Sequence, residues 1–358
     1  MLSLLPAIGL VTQQRLALLL TVCAGLGILG ASFMGHMPFR EHLLDRPNER
    51  SSHTVPTPRG GGVGILAAFI AAGLALQIPA TFLCAAAFLS MVSFYGDYFP
   101  LSVKIRLLVQ LVAALILLLP LWPGLAITPY VSFLSNLSPA SFYLLLPLLL
   151  LFMIGTANLY NFMDGINGIA GISGAIGFGL LGFHTLGHST AEPYQTSFSV
   201  LSIALALACL GFLPFNMPRA KVFMGDVGSI LLGFVFAGLA LMLSLNFLGL
   251  VCFAALLFPF YADELTTMAV RLRDGEKLTQ SHRRHLYQIL ANELGMAHWK
   301  ISALYGMFQL AVGIGVLCAY PFGFLAVLLF LAACFAGFIL LTACVRKSAR
   351  KREVQSRP

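Results

Sequence analysis

Apolar residues run along this chain in long unbroken stretches and do not alternate with polar ones. A stretch of roughly 17 to 25 apolar residues matches the hydrocarbon thickness of a bilayer, and about eleven such stretches are legible. They fall at 16–34, 62–78, 80–95, 105–121, 141–158, 169–187, 196–214, 229–246, 248–262, 301–319 and 322–344. Only helices and closed barrels satisfy every backbone polar group in lipid, so the pattern predicts an all-α polytopic membrane protein, a bundle of about ten or eleven transmembrane helices. The stretches 229–246 and 248–262 are so close that the pair also reads as one re-entrant element.

Composition agrees with this pattern. Of 358 residues, 59% are hydrophobic and 9% charged, which excludes an ordinary soluble surface. Lys and Arg near span ends stay on the inner side of a membrane. With the N-terminus outside, every Lys and Arg except Arg15 falls on the inner side, and among acidic residues only Glu192 falls on the outer side. The expectation is a multi-pass membrane protein with its charged loops on the inner, cytoplasmic side. Residues 1–345 form one membrane domain, and 346–358 form a basic cytoplasmic tail attracted to anionic membrane lipids. Nucleic acid is not an expected partner. The span centres are nearly free of charge, which argues against a transporter, because intramembrane ionisable groups mark substrate pathways. All seven cysteines lie within apolar stretches without metal-ligand spacing.

Dense polar clusters in such a greasy chain need a reason, and five occupy the inner loops. The first runs from Asp45 through His53 and Arg59 to Gly60, Gly61 and Gly62. Prolines stop helix here, and the glycines and Arg59 suit an anion such as a diphosphate, although a basic connector is an equal reading. In the second, Gly96-Asp97 precedes Ser102, Lys104 and Arg106; taken alone, Asp97 reads as a turn or capping residue. The third places Asn158, Asn161 and Asp164 three apart. At 3.6 residues per turn these share a stripe of about 120°, suited either to neighbouring helices or to a nucleobase and a cation. The fourth, Lys221 to Ser229, holds Asp226, which is either a helix N-cap or a hard oxygen ligand for magnesium. The fifth holds His282, Arg283, Arg284 and His285; its arginines favour an anion over zinc, for which third and fourth ligands are missing.

In order and spacing, the segments DRPNERSSHTVPTPRGGG, NLYNFMDGINGIAG and KVFMGDVGS resemble the polyprenyl-phosphate N-acetylhexosamine-1-phosphate transferase superfamily, glycosyltransferase family 4, over about residues 45 to 290. HRRHLYQ is similar to the form in O-antigen-initiating members. The resemblance implies a cytosolic active site and exchange of UMP from a UDP-N-acetylhexosamine for undecaprenyl phosphate, with magnesium as cofactor and manganese as the alternative ion. It implies catalytic roles for Asp97, Asp226, His282, Arg283 and His285. It implies substrate contacts for Asn158, Asn161 and Asp164 and metal contacts for Asp226 with Asn161; by charge and position, Arg59 suits the diphosphate, and Lys104 and Arg106, near the membrane boundary, suit the lipid phosphate. A homodimer is one assembly open to the chain. The sequence departs from the family at Gly96, where the first of two adjacent aspartates is usual. A catalytically impaired homologue and a lipid-substrate transporter are therefore the alternatives.

Overall fold

A computed structural model describes residues 10–37, 43–47, 52–121, 134, 137–188, 193–277 and 283–356. Nine helices among the described residues are long and apolar enough to cross a membrane. The chain forms α1 (Leu10–His36), α2 (Val63–Ala75), α3 (Ala80–Tyr98), α4 (Val103–Leu118), α5 (Pro139–Met163), α6 (Ile169–Gly187) and α7 (Pro193–Asn216). After these come α8 (Asp226–Leu243), α9 (Phe247–Ala254), α10 (Phe258–Arg273), α11 (Leu286–Gln288), α12 (His298–Ala319) and α13 (Phe324–Ser356). A single 3-10 turn, Ala255–Leu257, joins α9 to α10, and together they form one span, Phe247–Arg273. The shorter α2 and α4 account for the two further stretches read from the sequence.

The elements start where short polar side chains satisfy free N–H groups. Ser102 accepts from Ile105 at α4, Ser138 from Ser141 at α5 and Asn246 from Gly249 at α9. The close pair 229–246 and 248–262 is not re-entrant: α8 ends at one end of the bundle, Asn246 caps a new helix there, and α9–α10 returns. The return helix outruns its apolar stretch by eleven residues, 263–273, because Asp263, Glu264 and Arg271 are themselves buried. Residues 346–356, expected as a separate tail, continue α13 without a break.

The helix α8 is the axis of the molecule, buried at every residue from Val227 to Leu243, and it packs on α3 and α5. At its N-terminal end lies a feature the sequence pattern did not show, a two-stranded antiparallel hairpin of β1 (Leu44–Asp45) and β2 (Thr57–Pro58). This hairpin, the ends of α3 and α5 and the start of α8 meet at the charged end of the bundle.

Candidate active site

The site is organised by backbone contacts around the start of α8. Gly61 and Gly62 donate their N–H groups to the Phe223 and Met224 carbonyls at 2.8 and 2.9 Å, and the Phe223 N–H donates to the Pro58 carbonyl at 2.8 Å. A Cβ on Gly62 would lie 2.4 Å from the Gly228 Cα, so only glycine permits α2 and α8 to start side by side. This corrects the reading of Gly60 to Gly62 as an anion cradle: two of its N–H groups are already paired, and the glycines serve backbone approach. Gly225 turns the chain into α8 with φ of +76°, and a Cβ there would meet the Asp97 carboxylate at 2.8 Å.

Asp97, from the last turn of α3, caps α8 from outside. Its Oδ1 accepts from the Asp226 N–H at 3.1 Å and its Oδ2 from the Val227 N–H at 3.3 Å. A carboxylate there complements the positive end of the helix dipole. The Asp226 side chain is thereby aimed at two neighbours. Its Oδ1 accepts from Asn161 Nδ2 at 2.9 Å, and Arg106 Nη1 lies 3.2 Å from its Oδ2. Asn161 Nδ2 also donates to Ser229 Oγ at 2.8 Å, which locks the amide between α5 and α8.

Asn161, Asp164 and Asp226 line a polar cavity of about 300 Å³, with Asp45 and Arg59 of the hairpin and with Ser52, His53, Gln288 and His298 around it. Arg59 Nη2 is 2.8 Å from Asp45 Oδ2, so the hairpin holds its guanidinium in place. Asp164 follows the last residue of α5, and among the described residues its carboxyl has no hydrogen-bond partner. Burial, reinforced by the nearby Asp226 charge, raises its pKa well above the usual carboxylate range. Two carboxylates on one cavity, one of them unpartnered, together with the Asn161 carbonyl oxygen make a hard oxygen donor set that fits magnesium. Asp97 does not line the cavity, and both of its oxygens accept from the start of α8.

A second space of about 130 Å³ shares Asn161 and Asp226 with this cavity. It lies among α3, α4, α5 and α8, and its walls are mainly apolar, including Leu89, Val92, Leu101, Leu107 and Ile230, with Arg106 among them. Gly96 faces it, and a Cβ there would meet only Leu101, at an ordinary 3.5 Å.

Several residues expected at the site are placed differently. Asn158 lines the second space but not the polar cavity, and it and Gln110 of α4 donate to each other at 2.7 and 3.2 Å. The three-residue step to Asn161 falls about 60° short of a full turn, so Asn158 pairs with α4 and Asn161 with α8. His285 lines neither space. It is 3% exposed, pairs with Gln288 as a capping box on α11, and holds Nε2 3.3 Å from Glu264 Oε2. It shapes the loop by packing on α10. Lys104 and Arg283 line neither space, and His282 lies outside the described residues. Conversely, Gln288, the last residue of the HRRHLYQ segment, reaches the polar cavity, as does His298, which the sequence did not mark. For His298 the only signal was a polar residue just ahead of the stretch 301–319.

A sequence model described as glycosyl transferase family 4 matches residues 79–244, the segment that carries Asp97, Asn161, Asp164 and Asp226. The chain is 28% identical over 205 residues to the probable undecaprenyl-phosphate N-acetylglucosaminyl 1-phosphate transferase of Bacillus subtilis, covering 56% of this chain and 55% of that protein. It therefore spans about half the length of that relative. It is 28% identical over 326 residues to the decaprenyl-phosphate N-acetylglucosaminephosphotransferase of Mycobacterium leprae, covering 82% of this chain and 81% of that protein. It is also 28% identical over 318 residues to the phospho-N-acetylmuramoyl-pentapeptide-transferase of Aquifex aeolicus, covering 80% and 88%.

Proposed function

We propose that this chain, which is similar to glycosyl transferase family 4 and to its polyprenyl-phosphate hexosamine-1-phosphate transferases, moves an N-acetylhexosamine 1-phosphate from a UDP-sugar to undecaprenyl phosphate with release of UMP. The observation that carries this reading is the meeting of a polar cavity and a mainly apolar space at Asn161 and Asp226. A nucleotide sugar suits the first and the phosphate end of a lipid the second, so the two substrates would face each other across Asp226.

In this reading a lipid phosphate oxygen bonds to the β-phosphorus of the donor. The bond from that phosphorus to the bridging oxygen breaks, and the bridging oxygen leaves on UMP. A phosphate monoester has a second pKa of about 6, so at neutral pH much of the acceptor is already a dianion and needs little base assistance. Positioning and charge neutralisation then dominate. Arg106 faces the lipid phosphate and Arg59 the donor diphosphate, while Asn161 holds Asp226 in place. Asp226 and Asp164, with Asn161, would hold magnesium or manganese, which when bound neutralises diphosphate charge. The reading does not need a second aspartate in the place of Gly96, because Asp97 serves the start of α8.

The charge distribution supports a cytoplasmic site and C-terminus in a bacterial inner membrane. The HRRHLYQ segment supports donors of the O-antigen-initiating kind, so UDP-N-acetylfucosamine, UDP-N-acetylquinovosamine and UDP-N-acetylglucosamine are the ones to offer. The test is UMP release by purified protein with undecaprenyl phosphate, divalent metal and these donors, beside Asp226→Asn and Gly96→Asp. Metal-dependent release by the wild type, lowered about a hundredfold or more in Asp226→Asn, is the expected result. Silence of the wild type that Gly96→Asp relieves would instead establish an impaired homologue.

A further inference from the structure

The cationic face of α13 is a feature that the proposed reaction does not use. Phe258 and Phe335 touch across α10 and α13 with ring centroids 6.5 Å apart, and beyond this contact a crevice of about 840 Å³ opens between the two helices. Its α13 wall changes character along one helix face. Ile339, Thr342 and Ala343 come first, then Arg346 and Lys347, then Arg350 and Lys351, each step following the three- or four-residue spacing of one face. From α10, Val270 adds to the apolar part and Arg273 to the charged part.

This order matches the depth profile of a bilayer leaflet. About twenty helical residues cross the hydrocarbon core. Counted from Phe324, the first residue of α13, that length ends just before Arg346, so the five cations stand at headgroup level and the apolar part stands below it. No Asp or Glu lines the crevice. Asp274 approaches Arg273 at 3.8 Å from outside the lining, while Arg346 spends Nη2 on the Arg284 carbonyl at 2.6 Å. The Nε of Arg346 and the hydroxyls of Thr266 and Thr342 are buried without a hydrogen-bond partner. Like charges one turn apart repel each other, and an anion seated here relieves that repulsion.

We infer that the α10–α13 crevice binds the headgroup of an anionic glycerophospholipid, with its acyl chain against Val270 and Ile339 and its phosphates against the five cations. That number of cations favours a headgroup with two phosphates over one. The crevice shares no residue with either space at Asp226, which separates this lipid from the proposed acceptor. Through Arg346 and the Arg284 carbonyl, it bears on the loop that leads to Gln288 in the polar cavity.

The test uses the full chain in phosphatidylcholine nanodiscs doped with cardiolipin, read by native mass spectrometry for retained lipid and by melting temperature. Wild type should retain cardiolipin and melt higher with it. Lys347→Ala, Arg350→Ala and Lys351→Ala combined should weaken retention about hundredfold and abolish the thermal gain. Arg219→Ala, Lys221→Ala and Lys300→Ala combined should change neither. If the first triple variant no longer melts cooperatively in phosphatidylcholine, the single variants Lys347→Ala and Lys351→Ala, both at exposed positions, carry the same comparison. Equal loss in both triple variants would reduce the effect to net charge and overturn the site. Cardiolipin retained equally by the wild type and by the first triple variant would also overturn it.

Discussion

Three aspartates near one helix start do three different things, and the partners of each decide which. Asp97 has both oxygens on backbone N–H groups of α8, Asp226 is held by Asn161 and Arg106, and Asp164 has no hydrogen-bond partner among the described residues. Asp97→Ala should therefore lower stability by about 0.5–2 kcal/mol, the usual loss on removing a cap, and reduce UMP release by letting Asp226 drift. Asp226→Asn should reduce turnover with little change in melting temperature, because its volume and its place in the helix are kept. Melting curves of the two variants beside wild type check this. An Asp97→Ala protein that melts like wild type would remove the capping role. In the sequence Asp97 and Asp226 were both legible as capping or catalytic candidates. Their division of labour was not, because a cap donated from a helix 129 residues away leaves no local signature.

At the scale of elements, close helix approach and one loop clamp hold the site together. The contact of α5 with α8 depends on Gly233, where a Cβ would lie 2.7 Å from the Ala157 Cα and from the Thr156 carbonyl. Gly233→Leu should lower stability by about 1–3 kcal/mol and separate Asn161 from Asp226; thermal unfolding and UMP release measure both effects. The loop after α10 is closed by Arg284, which binds Asp274 at 2.6 Å and also Glu276, and by Arg271, whose Nε is 3.0 Å from Glu276. Hydrogen bonds from Arg284 and Arg271 respectively hold the Asp274 and Glu276 carboxyls below their usual range. A depressed carboxylate pKa contributes stability that is complete above the unfolded value, about 4, and is lost as pH falls through the folded value. Hydrogen exchange in 271–277 and 283–288, corrected for intrinsic rates, should therefore accelerate only below that range. Unchanged protection in acid would show that the clamp carries nothing. The stripe Asn158, Asn161 and Asp164 illustrates what periodicity can tell: it placed three polar residues on one side of a helix, and the neighbours on that side were two different helices and a cavity.

At the scale of the whole molecule, the arrangement is a buried axial helix, α8, with nearly all charge at the end where it begins. The lopsided charge predicts that a reporter fused after Pro358 is active only on the cytoplasmic side, while one inserted beside Glu192 is active only on the far side. Reversed signals would invert the proposed orientation. The class of the protein was determined by the sequence alone, because lipid imposes a length and an apolar composition on every span and leaves each visible without any partner. The family resemblance was legible for a related reason: its polar segments lie in loops, where polarity in so apolar a chain stands out. The tertiary structure alone decided which polar residues share a cavity. Gly60 to Gly62 became a backbone seam, Asn158 an amide clamp and His285 a buried cap, while Gln288 and His298 entered the site from distant parts of the chain. These assignments depend on which helix faces meet, and such long-range contacts leave no period in the sequence.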